Sequence, residues 1–182
     1  MTTAEVPPSD YRLLVPRDWF RVDLTHERWR SQLKTFVDKE SAGGRAPAEA
    51  ARGVWSTLRN TAEHAIAQGA LEFFLKTEVP GGSALPASLL ISMVPTPRGL
   101  APIPDDFARA LTERADTGIE VDVVELSAGR TVRVITETTM DFHIRMPGDV
   151  GYLHLAFATP LSGTKSAMGD LCDAMAHSLR WV

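Results

Sequence analysis

The chain has 182 residues, a single cysteine and a formal net charge of −4, with 44% hydrophobic and 23% charged residues. This is the composition of one ordinary globular domain. It excludes an internal disulfide and any multi-cysteine zinc site within the chain. Interspersed charges leave no broad basic field for nucleic acid. No run approaches the ~18–20 consecutive apolar residues of a membrane span. The opening MTTAEVPPSDYRLL lacks the positive-then-apolar layout of a secretory signal. The expected location is therefore the cytoplasm. Asn60 is the only asparagine and Ala, Arg and Gly abound, a bias that points to a high-GC bacterial genome.

Residues 1–10 read as a flexible, proline-containing tail, and residues 11–182 as a single domain. Tyr11–Val15 and Trp19–Leu24 read as short strands about a turn at Pro16-Arg17-Asp18. They form a pair at a sheet edge or a small separate sheet. Thr25 is placed to cap a helix carrying Trp29, Leu33, Phe36 and Val37. After the break at Ser41–Arg45, Pro47 opens a second helix with an apolar face at Val54, Trp55, Leu58, Ala62, Ala65 and Ile66, ended by Gly69. That helix, 47–68, packs either within the chain or on a partner. Leu71–Val79 is a strand with Leu71, Phe73 and Leu75 on one face.

The loop Pro80–Pro86 leads to Ala87–Val94, whose near-continuous apolar run predicts an interior strand covered on both faces. Four prolines, at 95, 97, 102 and 104, stiffen the next loop before a short helix through Phe107 and Leu111. Ile119–Leu126 and Thr131–Thr138 form a hairpin. In the stretch Asp141–Thr159, Phe142, Ile144 and Met146 alternate with His143 and Arg145, and Leu153, Leu155 and Phe157 alternate with Tyr152 and His154. A type II′ turn at Gly148-Asp149 would set His143 opposite His154 and Arg145 opposite Tyr152. A last helix presents Met168, Leu171, Cys172, Met175 and Leu179 as one stripe against that hairpin, Cys172 being a core residue. The expected class is α+β: a twisted antiparallel sheet with helices packed on its faces.

The stretches LLVPRDWFRVDL (Leu13–Leu24) and YLHLAFATP with MGDLCDAMAHSLRW (Tyr152–Trp181) resemble the first hairpin and the closing strand and helix of PsbP-like sequences. That family includes an extrinsic photosystem protein, a nuclear-transport factor and bacterial lipoproteins such as LpqN. The resemblance implies a PsbP-like α/β/α sandwich and a binding or accessory role rather than catalysis. It covers about a third of the chain and transfers no site residue. The chain departs from the lipoproteins in having no cysteine near its start, and the stretch 43–69 has no counterpart.

Ser162-Gly163-Thr164-Lys165 matches S-x-x-K, but so does Ser31-Gln32-Leu33-Lys34, and the partner motifs of acyl enzymes are absent. Ser162 or Thr164 is expected to cap the last helix instead. There is no G-x-S-x-G, H-E-x-x-H or phosphate loop, and no cofactor is implied. The constellation that remains is His143, Arg145, Tyr152 and His154 on one sheet face, either a plain polar, solvent-facing or helix-covered surface or a candidate binding surface for a partner or ligand. His143 and His154 with Asp141 are also the weak candidates for a metal. The expectation is a non-enzymatic bacterial accessory or protein-binding domain, for instance one serving a secretion or envelope system. The alternatives are a small-molecule or lipid site lined by Phe74, Leu90, Met93 and Phe142, or an enzyme whose site is assembled from residues distant in sequence.

Overall fold

A computed structural model describes residues 7–42, 48–76 and 86–182. In chain order the elements are β1 (Tyr11–Arg12), β2 (Trp19–Asp23), α1 (Trp29–Ala42), α2 (Ala48–Ala67), β3 (Ala70–Lys76), β4 (Ser88–Pro95), α3 (Pro104–Arg114), β5 (Glu120–Leu126), β6 (Gly129–Ile135), β7 (Thr139–Arg145), β8 (Gly151–Ala158), α4 (Ala167–His177) and β9 (Arg180–Trp181). Seven strands make one antiparallel sheet in the order β2-β3-β4-β8-β7-β6-β5. The chain crosses from β4 through α3 to the far edge, then returns as the meander β5 to β8 until β8 pairs with β4. The apolar run in β4 is thus interior, between β3 and β8, as its composition predicts.

Alternation along each strand sorts the apolar side chains onto two faces. One face carries Phe74, Leu89, Ile91, Phe142, Ile144, Leu153, Leu155 and Phe157, and α4 covers it with Cys172, Met175 and Ala176, followed by Leu179. Met168 and Leu171 pack at the margin of this cluster, so the predicted stripe is the one that is used. Phe142 and Phe157 meet edge to face, with ring centroids 6.1 Å apart. On the opposite face Val22, Phe73 and Leu75 pack against Leu33, Phe36 and Val37 of α1 and Leu58, Ala62 and Ala65 of α2. The helix 47–68 therefore packs within its own chain, with Pro47 outside the described residues.

Several boundaries differ from the sequence reading. Asp23 Oδ1 accepts both the backbone N–H and the hydroxyl of Thr25, so Thr25 is held in a local turn and α1 starts only at Trp29. The cap of α4 is Ser166, whose Oγ accepts the N–H of Gly169. Thr164 instead donates its hydroxyl to the Thr136 carbonyl. The register of β3 shifts between Ala70 and Glu72, a bulge that sends Leu71 to the α4 face while Phe73 and Leu75 keep the other. Residues 77–79, expected in that strand, lie outside the described residues, as does most of the loop 80–86.

The two N-terminal strands do not pair with each other. β2 is an edge of the large sheet, and β1 pairs with β9 in a two-stranded ribbon, Tyr11 opposite Trp181 and Arg12 opposite Arg180. Of the tail 1–10, residues 1–6 are outside the described residues, and the N–H groups of Ser9 and Asp10 both donate to the Val182 carbonyl.

Candidate functional site

The predicted register of the β7–β8 hairpin is observed: His143 faces His154 and Arg145 faces Tyr152. The turn differs. Met146 accepts the Asp149 N–H across Pro147-Gly148, and the Met146 N–H reaches the Gly151 carbonyl. Proline at the second position and Gly148 at φ +81° are the pattern of a type II turn rather than II′. Asp149 follows at φ +57°. The loop is longer than expected but centred on the same pair, so the strands keep their alignment.

Because β4 also pairs with β8, three rows of side chains cross the face opposite α4. Leu90, Ala156 and Asp141 form one row, Ser92, His154 and His143 the next, and Val94, Tyr152 and Arg145 the third. In the middle row the two imidazoles stack almost parallel, 8° between planes and 4.3 Å between centroids. His154 Nε2 lies 2.8 Å from Asp141 Oδ1 and donates to the carboxylate. Nitrogen lone pairs lie in the ring plane, so two parallel rings do not aim them at a common point. His143, His154 and Asp141 therefore do not converge on a metal, and no group of three or more metal-binding side chains occurs among the described residues.

Helix α3 covers the other end of the rows. The Phe107 ring meets His143 at 5.2 Å and Tyr152 at 4.9 Å, edge-on in both cases. Burial pushes the His143 imidazole down to about 4, with the neighbouring His154 adding to the effect and Asp141 opposing it. His143 is therefore neutral at pH 7. Tyr152 is only 4% exposed, and its burial raises the phenol above its ordinary range. Its hydroxyl donates to the Pro102 carbonyl at 2.6 Å. Arg145 donates to the Ala101 carbonyl at 3.0 Å and pairs with Asp149 at 3.0 Å, while its buried Nε has no hydrogen-bond partner among the described residues.

Three of the four candidate residues thus also make contacts within the fold. Arg145 and Tyr152 fasten the proline segment 96–103 to the sheet, and His143 lies beneath α3. His154, its partner Asp141 and Arg145 each keep about a quarter of their side-chain surface exposed, 26% in each case. Helix α3 covers part of this constellation through Phe107, which no local signal linked to His143. Ser92 sits beside His154 in the same row, but no hydrogen bond joins them among the described residues. The nucleophile–base link of a serine hydrolase is missing.

The cavity expected from Phe74, Leu90, Met93 and Phe142 does not form, because Phe74 and Phe142 belong to the α4-side core while Leu90 packs with the α1–α2 cluster. No helix among the described residues is long and apolar enough to cross a membrane. The chain matches no protein-family model, and no curated protein and no solved structure matches it significantly.

Proposed function

We propose that this protein is a non-enzymatic accessory factor that binds another protein through the proline segment 95–104 and the adjoining end of β4. One observation carries the reading. Of the eight exposed large hydrophobic residues among the described residues, four fall between positions 93 and 103: Met93, Val94, Leu100 and Ile103, with Leu100 69% exposed. Apolar side chains held on a stiff, anchored segment lose little freedom on binding, which favours recognition. The Arg145 and Tyr152 hydrogen bonds to Ala101 and Pro102 supply the anchoring. The PsbP-like resemblance of the two chain ends supports an accessory role. The composition supports a bacterial setting, with service to a secretion or envelope system from the cytoplasm as the specific form of this reading.

The test is affinity capture from the native cell with the wild-type chain and with a Val94→Asp, Leu100→Asp double variant. The expected result is a partner recovered by the wild type and lost by the variant, while both melt at the same temperature. Equal recovery by both chains overturns the assignment of the segment.

A further inference from the structure

The β1–β9 ribbon places two arginines directly opposite each other, Arg12 against Arg180. Cross-strand neighbours share a face, and like charges in that position repel. Neither arginine has a carboxylate within ion-pair distance among the described residues. Arg180 spends one nitrogen on the His177 and Leu179 carbonyls. Of the acidic groups in the neighbourhood, Asp10 accepts the Tyr11 N–H and makes no ion pair with either arginine among the described residues, and Asp173 pairs with Arg133 and His177.

The two arginines line a groove of about 600 Å³ together with Leu14, Ser178, Trp181 and Val182. That size is typical of a small-ligand site. Its margins are apolar, with Leu14 75% and Val182 50% exposed. Trp181, adjacent to Arg180 and so on the other face of β9, packs against the α4-side core and donates its indole N–H to the Ala128 carbonyl. Ser178 is likewise committed, accepting from the Leu14 N–H and donating to the Met175 carbonyl.

We infer that this groove binds a phosphate group carried on an apolar molecule. Two arginines at opposed positions of the ribbon, with the Arg180 nitrogens other than Nη1 still uncommitted among the described residues, match the several oxygens and double charge of a phosphate monoester. Leu14 and Val182 offer contact to the apolar remainder. Bound phosphate also cancels the repulsion across the ribbon, so binding tightens the pairing of β1 with β9. The phosphate has two possible carriers, an anionic lipid headgroup or a freely diffusing phosphate ester, and the test separates them.

The full chain is titrated with sodium phosphate against sodium chloride at matched ionic strength and pH while amide resonances are followed by NMR. Flotation is measured in parallel with phosphatidylcholine vesicles with and without phosphatidic acid. Saturable shifts at Arg12, Arg180 and Trp181, weakened roughly tenfold or more by Arg12→Gln or by Arg180→Gln, are expected. Flotation that needs phosphatidic acid and both arginines identifies a lipid carrier, and phosphate binding without flotation identifies a soluble one. In chloride Arg12→Gln is expected to melt at or above the wild-type temperature, since one repelling charge is gone. The proposal falls if neither phosphate nor phosphatidic acid gives an arginine-dependent response. It also falls if Arg12→Gln melts below the wild type, which would make that arginine structural.

Discussion

His143 shows how burial changes what a residue can do. Its imidazole is held neutral to about pH 4, against an ordinary value of 6.5. Between those values the unfolded chain binds a proton that the folded chain does not, so stability falls as pH drops from 6.5 toward 4 and is fully present above 6.5. The loss is at most on the order of 3 kcal/mol. Denaturant midpoints measured across this window are expected to slope for the wild type and to flatten for His143→Gln. Gly169 is constrained in another way. A Cβ there would lie 1.8 Å from the Thr164 backbone oxygen, and Gly169→Ala is expected to cost at least about 2 kcal/mol in a denaturation experiment. Cys172 is fully buried and its thiol is pushed up to about 12 by that burial. Its reaction with a disulfide reagent should follow the rate of opening of the native state, with no fast phase.

At the scale of elements, α4 is the test of packing. Cys172, Met175 and Leu179 are buried against the β7–β8 hairpin, and large apolar side chains each contribute about 1.5–3 kcal/mol when buried. With Met168 and Leu171 partly covered, the total is on the order of 5–10 kcal/mol, comparable with the net stability of a domain. Removal of residues 167–182 is therefore expected to abolish cooperative unfolding in a thermal melt. An unchanged transition would mean that α4 is a dispensable docking element. The existence and buried stripe of this helix were legible because its periodicity is local. Its cap was not, since choosing Ser166 over Ser162 or Thr164 depends on Thr164 being drawn to Thr136 and Glu137, 28 and 27 residues away.

For the whole molecule, the ribbon joins the two ends of the described chain. Tyr11 donates its hydroxyl to Glu72 on β3, which also binds Arg21 of β2, while Trp181 reaches Ala128 in the β5–β6 turn at 2.8 Å. The ribbon is thus tied to both halves of the large sheet. Trp181→Ala is expected to destabilise the protein by about 2–3 kcal/mol, less than a fully buried tryptophan because the ring is only partly covered. Amide exchange at Tyr11 and Arg12 should accelerate in this variant before exchange in β4 or β8 does. Exchange rising uniformly across the sheet would show that the ribbon does not open on its own.

Residue pattern by itself determined the α+β class, the order of nearly all elements, the interior place of β4 and the register of His143 with His154. Each follows from alternation or helical spacing within a few residues, or from a hairpin whose strands are joined directly. Only the tertiary structure decided that α3 lies over His143 and Tyr152 and that Arg145 grips the Ala101 carbonyl across 44 residues of sequence. It likewise decided the pairing of Arg12 with Arg180. These contacts join segments far apart in the chain, and neither side-chain period nor turn chemistry carries information about which distant surface a segment will meet.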